Sequence, residues 1–522
     1  MEWSDFEHQA DAVTRSPALG YDAKLRRLAA LATNALPYPE LSPACAAALA
    51  DRVVCDMYEG HRPYTPRYAL PDYAKALARG VRYLELDPPQ TLDDALTFLT
   101  ILYSQVPSVT TYPVYVGDLD SLLESFVPAD LSDDELDAKL RRFWITLDRL
   151  LPDAFVHANV GPCDGRVIRS IWRVERSLRQ VVPNLTLKVD AELTPDDLIE
   201  DAVRTVFVTA KPHFVNHAMM TADHGTGYAA VSCYNSLKIG GGAHTLVRLD
   251  LKKAAARHDG DLDAFLADAL PGWVELTCEL AEARIRALVD SGFFDHHFLA
   301  TEGLVDIERF SAMFGIFGLA ECVDDFMARQ GRPDAHYGHD QAANVASYRI
   351  TERLAELVAA RPLPYCSGGG GYAYLHSQSG IDLDLEVTAG TRLPIGTEPG
   401  LREHIAACAP HHRLFPAGIS DIFHVDETVR GNPRAMVDVV RGALGVGMRD
   451  FTFNLADNEF IRITGYLVRK SDLVGVDEHG ARHSSDYLAS TAEQNHTVLT
   501  RTVKRITAIE LDPLDSALRT PV

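Results

Sequence analysis

The residue best suited to unusual chemistry in this sequence is a glycine near the carboxyl end. Gly465 follows Arg462 by three positions and directly precedes Tyr466. Loss of one hydrogen from a glycine Cα leaves a radical that delocalises over the flanking amides, and no side chain prevents that centre from becoming planar. Gly465 is therefore a candidate site for a stored backbone radical, and Arg462 and Tyr466 would shape its loop.

A stored radical needs a partner that can attack a substrate, and Cys233 has a suitable setting. It ends an apolar strand that starts at Tyr228, and it precedes the glycine-rich run 240–242. A cysteine at the end of a strand is commonly a small core residue. A thiyl radical, however, needs a cysteine at a loop tip in a dry interior, and this setting supplies one. The fold must then bring Cys233 and Gly465 together.

Composition and charge narrow the classes of function. The chain has 522 residues, 47% of them hydrophobic, and 50 basic against 73 acidic side chains give a net charge of −23. This balance argues against nucleic acid or an anionic membrane as partner, since both need clustered basic residues. We find no signal peptide, no apolar run of membrane-spanning length and no paired-cysteine motif. We expect a cytoplasmic protein without a membrane partner, a metal site or a permanently bound cofactor.

Hydrophobic patterning predicts helices first and strand–helix alternation afterwards. Capping sequences at Thr91 and Ser132 precede amphipathic runs, so the first 150 residues are predicted to be mainly helical. Strand segments then alternate with helices, and 206–209 is assigned as a strand. The alternation predicts an α/β fold with parallel pairing, as a barrel or as an open sheet.

Two histidines before Cys233 have a spacing that suits either a metal or a substrate. His213 and His217 would share one face of a helix, and Asp223 follows them. These three residues support an alternative function, a metal-dependent hydrolase or lyase.

We instead expect the polar residues around the cysteine to line a substrate cavity. The candidate substrate-binding residues are His213, Asn216, His217 and Asn235. The later histidines, by contrast, flank a proline/glycine turn and are expected at the surface: His411, His412 and His424.

Taken together, several segments resemble glycyl radical enzymes, and most closely the YjjI family of the pyruvate formate-lyase and anaerobic ribonucleotide reductase superfamily. The resemblance covers roughly residues 180–505. It rests on the segments 183–187, 232–242, 314–322, 389–399 and 461–466.

The resemblance implies a fold and a division of the chain. The fold is a ten-stranded α/β barrel of two five-stranded half-barrels, with surrounding helices and a C-terminal glycyl radical loop. Residues 1–150 would form an N-terminal helical region, 151–440 the barrel core with the cysteine loop, and 441–522 the glycyl radical domain and tail.

The resemblance also implies a mechanism. A radical-SAM activase, which carries the S-adenosylmethionine and the [4Fe-4S] cluster itself, would take a hydrogen atom from Gly465. The radical would pass to Cys233, whose thiyl would attack a small polar metabolite, and oxygen would destroy the stored radical. A homodimer is also implied. A catalytically silent binding protein of the same fold is the second alternative.

Departures from better-known members leave the reaction open between C–C or C–X bond cleavage and rearrangement. Eliminases of the superfamily carry a glutamate two residues after the thiyl cysteine, where this chain has Asn235. Pyruvate formate-lyase has two adjacent cysteines, whereas here Tyr234 follows Cys233. Anaerobic ribonucleotide reductases carry a C-terminal zinc-binding cysteine set, and no cysteine follows Cys408.

Overall fold

The chain folds as an α/β structure whose strands form two five-stranded sheets and two hairpins. The computed structural model describes residues 3–17, 19–57, 60–107, 112–377, 387–463, 466–479 and 483. Of the helices in these ranges, none is long and apolar enough to cross a membrane.

The described strands are, in chain order, β1 Val54–Cys55, β2 Tyr68–Leu70, β3 His157–Val160, β4 Asn184–Val189, β5 His213–Asn216, β6 Tyr228–Val231, β7 Asn235–Lys238, β8 Gly241–Asp250, β9 Phe310–Phe317, β10 Tyr374–Ser377, β11 Asp421–Val425, β12 Asp450–Leu455, β13 Phe460–Ile463 and β14 Tyr466–Arg469.

Both sheets are mixed: the first has two parallel and two antiparallel pairings, and the second has three parallel pairings and one antiparallel pairing. In the first sheet, β8, β9 and β10 are parallel, while β1 and β2 both pair antiparallel with β8. In the second, β3, β4 and β5 are parallel, β12 pairs antiparallel with β5, and β11 pairs parallel with β12. The predicted α/β class is confirmed, and the region 1–150 contributes two strands as well as helices.

The described helices are α1 Trp3–Arg15, α2 Tyr21–Asn34, α3 Pro43–Ala50, α4 Tyr73–Arg79, α5 Leu92–Tyr103, α6 Leu119–Leu123, α7 Asp133–Leu150, α8 Arg166–Leu178, α9 Asp196–Thr209, α10 His217–His224, α11 Leu251–Ala256, α12 Leu262–Ala264, α13 Leu270–Asp290, α14 Phe293–His296, α15 Phe298–Thr301, α16 Leu319–Arg329, α17 Gln341–Ala359, α18 Leu401–His412, α19 Pro433–Gly445 and α20 Lys470–His479. The predicted caps at Thr91 and Ser132 are confirmed, and both form complete capping boxes.

The strand prediction for residues 206–209 is wrong. These residues form the last turn of α9, whose buried side chains, including Leu198, Ala202 and Val206, recur at helical spacing. The strand begins later, at His213, so His213 lies in β5 whereas His217 begins α10. The two histidines therefore do not share a helix face.

The surface prediction for the later histidines is also wrong. His411 and His412 are buried in the last turn of α18, and His424 is half-buried in β11. His411 contacts Ser347 and Thr351 of α17 through its ring nitrogens, at 3.2 and 2.9 Å. The last turn of α18 packs against α17, so the proline/glycine turn that follows does not expose these histidines.

Hydrogen bonds fix the hairpin of β6 and β7 against the second sheet. Asn159 of β3 donates to Ala230 O at 2.7 Å and accepts from Ala230 N at 2.8 Å. On the other strand, Ser236 N donates to Ala417 O at 2.8 Å. Next to that bond, Gly418 has a φ of +122°, and a Cβ there would lie 2.2 Å from Tyr234 O. A glycine is needed at 418 for this close approach.

Replacing Gly418 with alanine is therefore expected to lower the free energy of unfolding by about 1–3 kcal/mol, because the backbone around Tyr234 must move. Urea denaturation followed by circular dichroism measures the change. Gly442→Ala is the matched control, since no atom lies within 4 Å of a Cβ there. We expect that control to keep or slightly raise stability. Equal stability of Gly418→Ala and the unmodified protein would contradict the close approach.

Candidate active site

Cys233 lies at the tip of the β6–β7 hairpin. Val231 pairs with Asn235 across the two strands, which leaves residues 232–234 as a three-residue tip. Ser232 and Tyr234 both have left-handed backbones, with φ of +52° and +62°. Cys233 is half-buried and forms no disulfide. Two left-handed residues thus flank the thiol and aim it away from the strands.

Tyr234 and Arg462 join this tip to the hairpin of β13 and β14. Arg462 Nη1 donates to the hydroxyl oxygen of Tyr234. Arg462 Nη2 donates to Asn184 Oδ1 at 2.8 Å, and the Asn184 amide donates to Tyr234 Oη at 3.2 Å. All three side chains are buried. The guanidinium therefore ties β13 directly to the residue that follows Cys233.

The same hairpin holds both ends of the short segment that contains Gly465. Ile463 pairs with Tyr466, and the two residues between them, one of which is Gly465, lie outside the described residues. Asn454 of β12 accepts from Arg462 N at 3.1 Å and donates to Arg462 O at 3.0 Å. The strand that leads to Gly465 is thus anchored at Arg462.

Arg462 keeps its charge in a buried place because its guanidinium has polar partners. Burial lowers the pKa of its guanidinium, and Tyr234 and Asp450 oppose that change. Its Nε also donates to Ala210 O at 2.8 Å. Every nitrogen of the guanidinium thus has a partner, as a buried charge requires. Burial likewise raises the pKa of Tyr234, which remains a neutral phenol.

His213 and Asp450 form a buried dyad beside Tyr234. The His213 ring stacks on the Tyr234 ring, with centroids 3.4 Å apart. His213 Nδ1 lies 2.6 Å from Asp450 Oδ1 and 3.1 Å from Ser420 Oγ. The dyad is thus in van der Waals contact with the residue next to Cys233.

The dyad has no net charge at neutral pH, because Asp450 is protonated and His213 is a neutral imidazole. Burial raises the pKa of Asp450 to about 8. Burial, with a smaller contribution from Arg462, lowers the pKa of His213 well below its usual value. Asp450 then donates its proton to His213 Nδ1, and His213 carries its own hydrogen on Nε2. That Nε2 is buried and has no hydrogen-bond partner.

Further polar side chains lie around the cysteine tip. Burial raises the pKa of Tyr68, whose hydroxyl is hydrogen-bonded to Ser232 and interacts electrostatically with Cys233. Arg392 donates from Nε to Ser420 O at 2.9 Å and interacts electrostatically with Tyr234 and Cys233.

On the opposite side, His157 lies edge-on to the Tyr234 ring and contacts Thr186 Oγ1 at 2.8 Å. Burial lowers the pKa values of His157 and of His376 in β10 to about 3. Both imidazoles are therefore neutral near pH 7.

Several buried polar atoms in this region have no partner within the protein. They are His213 Nε2, Asp450 Oδ2 and Asn235 Oδ1. Buried polar atoms in native structures are nearly always hydrogen-bonded, so a group of exceptions in one place indicates that something polar binds there. The unpaired set contains both donors and acceptors, as recognition of a small polar molecule requires.

The predicted site residues fall into two groups in the structure. Cys233, His213, Asn235 and Arg462 lie in the region just described. Asn216 and His217 instead form hydrogen bonds with other protein groups outside that region. Asn216 caps α10 by accepting from Met219 N at 3.2 Å, and it donates to the carbonyls of Leu444 and Met448. His217 Nδ1 lies 2.9 Å from the Tyr228 hydroxyl.

The three residues of the metal alternative each have a different protein partner. His213 pairs with Asp450, His217 with Tyr228, and the Asp223 carboxylate with Arg449. The ligand atoms of these three residues do not converge on one point. Among the described residues, a converging group of possible metal ligands lies in a different part of the structure.

Sequence reasoning missed Tyr234, Asp450, Arg392, His157 and His376. Tyr234 was identifiable as the neighbour of Cys233, and Arg392 as part of the segment 389–399. Asp450 begins a strand in which polar and apolar residues alternate, and its partner His213 lies 237 positions earlier. No local pattern could have connected the two.

Comparison with known proteins identifies the family of the chain. The family model described as "Glycyl radical enzyme YjjI-like" matches residues 19–504. The uncharacterized protein YjjI of Escherichia coli (strain K12) is 46% identical over 497 residues, which cover 95% of each chain.

Two solved structures share the fold at low sequence identity. Hydroxyproline dehydratase from Clostridioides difficile has a TM-score of 0.67 and 12% identity, with 96% of this chain and 88% of that chain covered. The anaerobic ribonucleotide reductase from Thermotoga maritima has a TM-score of 0.66 and 13% identity, with 90% and 94% covered. On the family model and the 46% identity, this chain belongs to the YjjI-like family of glycyl radical enzymes.

Proposed function

We propose that this protein stores a radical on Gly465 and uses a Cys233 thiyl to take a hydrogen atom from a small polar metabolite. The observation that carries the proposal is the buried contact between Arg462 and Tyr234. It joins the strand leading to Gly465 to the residue after Cys233. Radical transfer between a glycine and a cysteine needs this kind of fixed proximity.

The proposed steps are hydrogen-atom transfers, each of which conserves one unpaired electron. A radical-SAM activase removes a hydrogen atom from Gly465 Cα. The glycyl radical takes the hydrogen of the Cys233 thiol and leaves a thiyl. The thiyl takes a hydrogen from a substrate carbon and later returns it to the product radical. We propose no permanently bound cofactor for these steps, because the stored radical is part of the chain.

The two five-stranded sheets support a barrel of two half-barrels with the cysteine hairpin inside it. Asn159 fixes that hairpin to the second sheet, while Tyr68 of the first sheet lies next to its tip. An enclosed site excludes water and oxygen, and oxygen would destroy the radical. The division at residues 150 and 440, the homodimer and the cytoplasmic location stay predictions, and the second boundary falls inside α19.

The dyad is proposed to recognise an oxygen of the substrate. His213 Nε2–H is an unpaired donor, and Asn235 Oδ1 an unpaired acceptor. Asn235 cannot accept a proton as a general base, so an elimination would need its base elsewhere. Asp450, with a pKa of about 8, is the group in the site that could exchange a proton near neutral pH, through His213.

Neither alternative function is favoured. The residues of the metal-dependent hydrolase or lyase, His213, His217 and Asp223, are each bound to a different protein group. A catalytically silent binding protein would have no need to keep Cys233 at the tip of a hairpin beside unpaired polar groups.

The proposal predicts an organic radical on Gly465. After anaerobic incubation with a radical-SAM activase, S-adenosylmethionine and a reductant, the electron paramagnetic resonance spectrum should show a doublet, because one α-hydrogen remains on the radical carbon. Gly465→Ala should abolish the doublet. Gly442→Ala, in the open position on α19, should keep it.

Exposure of the activated protein to air should remove the doublet and cleave the chain at residue 465. A doublet of equal intensity in Gly465→Ala would place the radical elsewhere and contradict the proposal.

The dyad predicts a loss of stability as pH rises from about 6.5 to 8. In that window the unfolded chain has a neutral histidine, with a usual pKa of 6.5, and an ionised aspartate, whereas the folded dyad still holds one proton. The folded state binds more protons, so the free energy of unfolding falls with rising pH, by about 2 kcal/mol for this pair.

Asp450→Asn should remove that fall, as measured by urea denaturation at several pH values. Asp472→Asn, which changes a part-exposed ion pair with Arg469, should keep it. The same pH slope in Asp450→Asn and the unmodified protein would show that Asp450 is not protonated in the folded state.

A further inference from the structure

A second group of chemically active side chains lies behind the wall of the site, and the mechanism does not use it. His404 and Cys408 are one helical turn apart on α18, and Asp421 begins β11. One nitrogen of His404, Cys408 Sγ and a carboxylate oxygen of Asp421 all lie within 4.8 Å of one another. All three side chains are buried. We propose that these residues form a binding site for a borderline-soft divalent metal ion such as Zn²⁺.

The spacing on α18 explains why the ligand atoms converge. Positions i and i+4 of a helix lie on one face, so His404 and Cys408 point the same way. The same face continues to His412 one turn later, where the helix ends against β11. This is a common geometry for two metal ligands from one helix, with the third supplied by a neighbouring strand.

A hydrogen bond from His412 orients the carboxylate of Asp421 towards the group. His412 Nδ1 accepts from Arg449 N at 2.9 Å, so the ring hydrogen is on Nε2 and points to Asp421 Oδ2 at 2.7 Å. A histidine in this state is neutral. His404 and Arg392 also interact electrostatically with Asp421, and the Cys408 thiol lies within hydrogen-bonding reach of its carboxylate. The Asp421 carboxylate, the His404 imidazole and the Cys408 sulfur thus converge in a buried place, which is the arrangement that a bound metal ion needs.

The donor set indicates which metal would bind. A thiolate, an imidazole and a carboxylate together suit zinc and other late first-row divalent ions, whereas Mg²⁺ and Ca²⁺ prefer oxygen ligands alone. Binding would release the thiol proton of Cys408 and form a metal–sulfur bond. The hydroxyl of Tyr337, 3.8 Å from Cys408 Sγ, can then donate to the thiolate. The His412 hydrogen bond would orient the Asp421 ligand.

A metal at this place would hold the wall of the active site without taking part in radical chemistry. Asp421 directly follows Ser420, whose hydroxyl is 3.1 Å from His213 Nδ1. Ser420 O also accepts from Arg392. A metal ion that holds Asp421 against α18 would therefore also hold Ser420 and Arg392 in place beside the dyad. This role does not depend on the proposed radical mechanism.

The test is a titration of the full-length, reduced and chelator-treated protein with Co²⁺ under anaerobic conditions, followed by competition with Zn²⁺. We expect one equivalent to bind with a thiolate-to-cobalt charge-transfer band, and Zn²⁺ to displace it. Cys408→Ser should lose the band. Cys322→Ser, which changes a buried cysteine of α16 outside the group, should keep it. His412→Ala should weaken affinity by about 10- to 100-fold.

The titration of the unmodified protein is decisive by itself, should a variant fail to fold. Absence of bound cobalt, or cobalt bound without the charge-transfer band, would overturn the proposal. So would a band of unchanged intensity in Cys408→Ser whose circular dichroism matches that of the unmodified protein. None of these measurements requires an active radical, so failure of the metal site and failure of the radical mechanism are separate results.

Discussion

The arrangement of the site depends on the burial of one guanidinium. Arg462 cannot lose its charge, so each of its nitrogens must find a partner when β13 packs against the sheet. Those partners are Tyr234, Asn184 and a backbone carbonyl, and Tyr234 is the residue after Cys233. A displaced hairpin would leave the charge buried without partners. The cost of an unpaired charge therefore holds β13 next to the tip of the β6–β7 hairpin, although the two are far apart in the sequence.

The neutral dyad complements that charge. Arg462 and Arg392 both lie near Asp450, yet desolvation keeps its carboxyl protonated at neutral pH. The region around the Cys233 tip thus contains neutral imidazoles and a protonated carboxyl group, and not ionised carboxylates. Such an interior can bind a polar molecule through hydrogen bonds without a strong preference for a cation. It also leaves one exchangeable proton, on Asp450, close to Tyr234 and the cysteine tip.

Much of this could be predicted from local sequence, and the rest depends on contacts between distant segments. The loop tip at Cys233 was predictable, because it depends on neighbouring residues, whereas Gly465 lies outside the described residues. The helix caps at Thr91 and Ser132 were predictable for the same reason. The strand at 206–209 was wrong because β-branched residues also occur in a helix that is buried on one face. His412 and Asp450 could not be assigned, since each depends on a partner in another strand or helix.

The central claim is that the Gly465 radical and the Cys233 thiol exchange hydrogen, and this can be tested without knowing the substrate. In D₂O the thiol carries deuterium, so repeated transfer would replace the remaining α-hydrogen of the glycyl radical. The electron paramagnetic resonance doublet should then collapse in the unmodified protein and persist in Cys233→Ser. A doublet that persists in both proteins, or collapses equally in both, would show that Cys233 does not exchange hydrogen with Gly465.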